Sequence, residues 1–517
     1  MTGGFERADA AVAADPEWAD AATRRLLVLA DSDSYVKWGA ALASTLPESW
    51  TARLVILASP VMPSGRQLAD ALAGTRFTSG DVHVVHLDDL DALVDEAQPH
   101  AVLLSLRGPF VRVVAPLLQR RDDRPALLSG FPGLTIPAVP KAVIYREQTD
   151  LIVLHSRREV REFEANALDL GVDPGLGLAT LPFLATGSRG AVGARRAASG
   201  TPSASGATGG SGTTGGSAST GDVVPAASDG DVVFAAQAKV PAQLEDRVRV
   251  LAALAEHARR NPERRVIVKV RARRGEAQTH REEHDYAELV EDLGPAAPPN
   301  LVVEHGPMAA KLARAGALVT VSSTAALEAV AMDLPVLLLD DFGVSPAMIN
   351  TVFEGSGLFG STHDLVAGRF RHAAPAWTAD NYFHGTDADD WTGRLEALVA
   401  AREIVPLPPI ERRHDTSGGA LRTAYERRRM LGDYDRDPVG TVAWTFGVAA
   451  RTAVRRARRL RRWLQRSTDA ATGRTGSVDG RGVLLDVPQV GGGVAADALP
   501  LRVGELTPDL AGHARDQ

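Results

Sequence analysis

The sequence predicts an α/β protein of two tandem Rossmann-like domains facing each other across a cleft, and three observations predict it. Short, nearly all-apolar runs of strand length alternate with longer amphipathic runs in two separate blocks, residues 25–185 and 231–400. Between the blocks lies a stretch, 186–230, made mainly of Gly, Ser, Ala and Thr. At 517 residues the chain also exceeds what one hydrophobic core usually serves.

In the first block the strand-length runs are RLLVLA (25–30), ARLVILAS (52–59), DVHVVHL (81–87), HAVLLSL (100–106), PALLSG (125–130) and DLIVLHS (150–156). They are apolar throughout rather than alternating, as parallel strands covered on both faces are. The intervening SYVKWGAALASTL, LDALVDEAQ and FVRVVAPLLQRR have helical spacing. Segment 186–230 has no core-forming periodicity and reads as a flexible linker, with an average span of roughly 35 to 40 Å for a Gly-rich chain of that length. The second block supplies DVVFAAQA (231–238), RRVIVKV (264–270), NLVVEH (300–305), ALVTVS (317–322) and PVLLLDD (335–341), with QLEDRVRVLAALAEHARR and PMAAKLARAG as helices between them.

The ends read differently. Residues 1–24 carry acids where a secretory leader needs a basic start and an apolar run, so they are expected to be disordered and the protein cytoplasmic. Residues 401–467 read as helical and finish in a basic amphipathic helix with eight arginines between Arg451 and Arg466; 468–517 reads as a disordered tail. No apolar run approaches the ~20 residues of a membrane-spanning helix. A net charge of -7 argues against a general nucleic-acid binder. The absence of cysteine excludes disulfides, thiolate zinc sites and a cysteine nucleophile.

Open parallel sheets bind ligands beyond the carboxyl ends of their strands, so the loops there hold the candidate residues. In the second block Ser322, Ser323 and Thr324 sit at a helix start, which suits a phosphate, and Glu328 one turn on suits sugar or ribose hydroxyls. The same residues also read as ordinary helix caps and a solvated acid. Lys269 and Arg271 follow the next strand over, as an anion-neutralising pair or as a solvated basic loop, and Glu304, His305 and Gly306 end the strand beyond. His280 to His284 fits the HxxEH zinc pattern, but the stretch is charged throughout, so no metal and no cofactor is expected. In the first block Asp31 and Asp33 of ADSDSYVKW are candidate general bases, or a strand end and a helix cap. Lys37 and Trp38 would line the same mouth. Gly130 and Gly133 of SGFPGLTIP would let backbone approach a substrate, or only allow the turn.

The stretch LARAGALVTVSSTAALEAVAMDLPVLLLDD resembles the donor-nucleotide region of GT-B glycosyltransferases. Together with ADSDSYVKWG, SGFPGLTIPAVPKAVIYREQTDLIVLHSRREV, FAAQAKVP and VKVRARRGEAQTH, it is similar to an actinobacterial family of glycosyltransferases of undefined substrate, over roughly residues 24–400 without the linker. The resemblance implies a GT-B-like fold and a sugar transferred, without a metal, from a nucleotide-activated donor to a cell-envelope glycan or lipid acceptor. The donor would lie on Ser322, Ser323, Thr324, Glu328, Lys269, Arg271, Glu304, His305 and Gly306. Asp31 or Asp33 would deprotonate the acceptor beside Lys37, Trp38, Gly130 and Gly133. Sugar-nucleotide epimerases and polyol-phosphate transferases share this fold, and a catalytically silent nucleotide-sugar-binding scaffold would use the same residues. The 451–466 helix would suit peripheral contact with the anionic inner face of the membrane.

Overall fold

The first sheet has seven strands, all parallel: β1 (Arg24–Ala30), β2 (Trp50–Leu57), β3 (His83–Val85), β4 (Ala101–Ser105), β5 (Ala126–Gly130), β6 (Leu151–Leu154) and β7 (Gly175–Leu178), in the order β3-β2-β1-β4-β5-β6-β7. The second has eight: β8 (Val223–Pro225), β9 (Asp231–Ala235), β10 (Val266–Lys269), β11 (Leu301–Glu304), β12 (Ala315–Thr320), β13 (Val336–Leu339), β14 (Phe359–Gly360) and β15 (Arg369–Arg371). Its order is β11-β10-β9-β12-β13-β15-β8, with β14 beside β13. Among the described residues only the β13–β15 and β15–β8 pairings are antiparallel. The computed structural model describes residues 18, 23–182, 184, 223–226, 230–270, 282–417, 419–442 and 444–445. The predicted tail from 468 and the predicted basic helix of 451–466 lie outside them, as do most of 1–24 and of 186–230.

The predicted central strands are all present, because runs such as LLVLA and ALVT bury every residue from Leu26 to Ala30 and from Ala315 to Thr320. Helices cover both faces, so each sheet has a core on either side. Leu26, Val28, Leu103 and Leu128 face one way in the first sheet, and Leu27, Leu29, Val102 and Leu104 the other. The architecture is two Rossmann-like α/β domains.

Three departures from the sequence reading have local causes. Val223–Pro225, inside the predicted linker, pairs antiparallel with β15 and closes the edge of the second sheet. Trp18, inside the predicted disordered N-terminus, is buried: its Nε1 donates to the Ala97 carbonyl at 2.9 Å and the Arg53 guanidinium stacks on its ring. The helix Trp391–Ile404, assigned by position to the second domain, returns to the first, where Trp391, Leu395 and Val399 join the core of Trp38, Leu128 and Leu151.

The domains are tied together by more than this crossing. Ile136, Leu181 and Leu184 of the first domain are buried with Ala325, Leu327 and Val352 of the second. The buried Glu159 carboxylate accepts from the Thr135 hydroxyl and from the Tyr382 hydroxyl of the second domain, both at 2.6 Å, and from the His155 amide at 2.8 Å. Arg161 adds a bidentate pair to Asp380 across the seam, 2.8 Å at both contacts.

Gly130 is set by packing. A Cβ there would lie 2.5 Å from the Trp38 ring and 2.6 Å from the Val153 carbonyl. Gly130→Ala is therefore expected to destabilise the chain by about 2 kcal/mol or more. Gly65→Ala, at a helix start with nothing within 4 Å of the added carbon, should be neutral or stabilising by up to about 1 kcal/mol. Thermal melts of the two variants check the contrast.

Candidate active site

In each sheet one central strand, β1 in the first and β9 in the second, has its successor on one side and a later strand on the other, so the helices change face there and leave a crevice at the carboxyl edge. The crevices lie between β1 and β4 and between β9 and β12. In this protein a side chain bridges each.

At β1/β4, Asp31 directly follows β1 and Arg107 follows β4. The Arg107 Nε donates to Asp31 Oδ2 at 2.6 Å, and the carboxylate is wholly buried. Burial pushes the Asp31 carboxyl up, against the opposing pull of Arg107. Asp33 opens the helix Asp33–Ala43 and is half-buried rather than enclosed. Lys37 is four residues on, on the same face of that helix, and its side chain is 46% exposed. Trp38 points the other way. It is 1% exposed in the core, donating from Nε1 to His155 Nε2 at 2.7 Å. The other His155 nitrogen meets the Ala179 carbonyl at 2.9 Å, and burial keeps this imidazole below its ordinary pKa, hence neutral. Of the two residues expected to line this mouth together, the structure leaves Lys37 there and puts Trp38 beneath it, because an indole next to Gly130 fills the core more completely than it could in the cleft.

At β9/β12, Gln237 clamps the hydroxyl turn. Its Oε1 accepts from the Ser322 amide at 2.8 Å and its Nε2 donates to the Ser322 carbonyl. The Ser322 hydroxyl donates to the Ile349 carbonyl, while the Ser323 hydroxyl accepts from the Ala325 amide at 3.2 Å. Thr324 makes no side-chain cap bond and begins the helix Ala325–Ala331. Ser322 is thus a buried strut, whereas Ser323 and Thr324 remain half-exposed. The loop that carries Gln237 is itself held by buried Arg247, which donates to the carbonyls of Gln237, Ala238 and Pro241 at 2.9 Å each. Lys239, on this loop, makes no ion pair among the described residues, and burial alone lowers its pKa. Neither Gln237 nor Lys239 was singled out from the sequence. The strand-edge position of AAQAKVP was the available signal.

The two carboxyl edges meet. Lys37 Nζ is 3.8 Å from Glu328 Oε1, across the domains. A Cβ on Gly133 would lie 3.2 Å from the Thr324 methyl, so the glycine loop of the first domain approaches the hydroxyl turn of the second. Lys269, at the end of β10, acts electrostatically on the same Glu328. The Glu328 side chain is only 12% exposed, and burial raises its carboxyl above the ordinary range despite both lysines. Lys37, Glu328, Lys269, Gly133 and Thr324 therefore form one constellation with contributions from both domains.

Other predicted residues lie apart from it or outside the described set. Glu304 is bound by Arg265 and Lys311, the Lys311 contact being the main reason its pKa is lowered, and stands opposite Lys269 in the strand register. His305 and Gly306 follow it half-buried, Gly306 in the left-handed region at φ 99°. Arg271 and His280 lie outside the described residues. Among the described residues no group of three or more His, Asp or Glu side chains could hold a metal ion, and no helix is long and apolar enough to cross a membrane.

Residues 26–398 match the family model described as "Putative glycosyltransferase (DUF6716)". The chain belongs to this family. Among solved structures it is similar to the UDP-GlcNAc 2-epimerase of Neisseria meningitidis bound to UDP-GlcNAc, at 9% identity and a TM-score of 0.43 over 74% of this chain and 99% of that one. It is also similar to Phytolacca americana UGT2 complexed with UDP-2fluoro-glucose and pterostilbene, at 8% identity and a TM-score of 0.39 over 74% and 95%. The UDP-GlcNAc 2-epimerase of Methanocaldococcus jannaschii gives 10%, 0.43, 72% and 99%. At these scores the likeness bears on neither substrate nor reaction. No curated protein matches the chain.

A carboxyl whose folded pKa is raised contributes stability that is complete below its unfolded pKa and is lost as pH rises through the folded one. Glu328→Gln should therefore raise the melting temperature at pH 7, and the gain should shrink by pH 4, where the native side chain is also neutral. Melting curves across that range check the sign.

Proposed function

We propose that this family member is a glycosyltransferase that moves a sugar from a nucleotide-activated donor to a glycan or lipid-linked acceptor of the cell envelope. The observation that carries this reading is the cross-domain constellation: two lysines from different domains around one largely buried carboxylate, at the carboxyl edges of two Rossmann-like sheets. Family membership supports the reaction class.

In the proposed mechanism the donor diphosphate lies between Lys37, Lys269 and the Ser323–Thr324 turn that Gln237 holds, with Glu328 accepting hydrogen bonds from sugar or ribose hydroxyls. The lysines neutralise charge as it develops on the leaving group, so no metal is required. The acceptor oxygen forms a bond to the anomeric carbon as that carbon's bond to the phosphate oxygen breaks, and the bonding pair leaves with the nucleoside diphosphate, or with the monophosphate from a CMP-sugar. The acceptor proton goes to a carboxylate of the first domain. Asp33 suits this role better than Asp31, because Asp31 is enclosed and engaged by Arg107 whereas Asp33 shares the cleft-facing side of its helix with Lys37. The envelope acceptor rests on the eight arginines of 451–466, which suit an anionic lipid surface from the cytoplasmic side.

A panel of UDP-, GDP- and CMP-sugars screened by thermal shift should yield one class that stabilises the protein. Lys269→Ala should weaken its binding about tenfold or more, as expected for loss of a charged hydrogen-bonding partner. Asp33→Asn should lower kcat by about 10²- to 10⁴-fold with donor affinity little changed. Saturable binding without turnover in the native protein would instead favour a silent nucleotide-sugar-binding scaffold, and full activity in Asp33→Asn would remove this base from the mechanism.

A further inference from the structure

The buried cluster at the β1/β4 crevice is not electrically balanced. Around Tyr35, which all three act on, Asp31 supplies one negative charge and Arg107 and Arg146 supply two positive ones. Arg146 is 2% exposed, and its guanidinium donates to the Ser129 hydroxyl at 3.2 Å, the Gly130 carbonyl at 2.9 Å, the Ala142 carbonyl at 3.3 Å and the Tyr35 hydroxyl at 3.4 Å, over the Phe131 ring. No carboxylate is among these partners. Glu147, its neighbour in sequence, is turned away to His414.

Arg107 is the member of the cluster with capacity to spare. Its side chain is 14% exposed at the carboxyl edge of β4, and only its Nε reaches Asp31. Its Nη2 is buried and has no acceptor among the described residues. A guanidinium whose Nε is fixed by a carboxylate is held in orientation, and its remaining donors match the paired oxygens of a phosphate or carboxylate. Leaving a buried guanidinium N–H without an acceptor is unfavourable unless a partner arrives.

We propose that the acceptor carries an anionic group, a phosphate or a carboxylate, which Arg107 receives at the β1/β4 crevice while Asp31 fixes the guanidinium in place. The proposal rests on reading the cleft as the site of glycosyl transfer and adds the chemical class of the acceptor to that reading. Arg107 is then a specificity-determining residue and Asp31 a positioning residue.

The test is isothermal titration of the full chain, at constant ionic strength and without any nucleotide, with inorganic phosphate and with glucuronate as the two probes. At least one should bind saturably, and which one identifies the anion. Arg107→Gln should weaken that binding at least tenfold. Asp31→Asn, which keeps the guanidinium but removes its internal counter-charge, should tighten it, a result that mere disruption of the fold would not give. No saturable binding of either probe, binding within twofold of native in Arg107→Gln, or equal weakening in both variants would overturn the proposal. Phosphate binding that persists in Arg107→Gln would belong to the donor side and count against it. Because no donor is present, these outcomes are independent of whether the nucleotide-sugar reading survives.

Discussion

A doubly wound parallel sheet leaves a gap where its helices change face, and the two strands that flank this gap have no crossover holding their ends together. Here one side chain spans it in each domain, Arg107 to Asp31 in the first and Gln237 to Ser322 in the second. In the proposed reading the donor lies above these bridges, where the two sheets face each other. The position of Asp33, Lys37, Thr324 and Glu328 follows from these two clamps, since each residue lies within six positions of a clamped one.

The clamps matter only if the domains are held edge to edge. That arrangement depends on contacts of three kinds: a helix that leaves the second domain and buries Trp391, Leu395 and Val399 in the first, apolar residues of the first domain buried in the second, and the Glu159–Tyr382 hydrogen bond. The Glu159 carboxylate is buried yet accepts three hydrogen bonds, which makes a buried charge tolerable. Burial with the Glu159 charge beside it pushes the Tyr382 hydroxyl well above its ordinary pKa, so it stays a donor throughout the accessible pH range. Burial pushes the Glu328 carboxyl of the cleft up in the same way.

Most of the fold was legible in the sequence because the central strands are long enough in apolar residues to be buried on both faces. The strands that escaped notice lack that property. β7 is GLGL, whose Gly177 accommodates the returning helix rather than announcing a strand, β14 has two residues, and β8 and β15 have three each. The site was legible in part. Strand-edge position pointed to Lys37, Lys269, Gly133, Thr324 and Glu328, which the structure brings to one place. It could not separate Lys37 from Trp38, because direction on a helix depends on which face the sheet covers. Nor could it show that Ser322 and Asp31 are engaged internally, since their partners Gln237 and Arg107 are 85 and 76 residues away.

Hydrogen exchange of the full chain, with and without the nucleotide sugar that stabilises it, tests the central claim most directly. The donor should slow exchange on both sides of the cleft at once, around residues 31–38 of the first domain and around 266–270 and 322–329 of the second. Protection confined to one domain, or appearing instead at the cavity lined by Arg158, Trp377 and Asp380 on the seam, would contradict it.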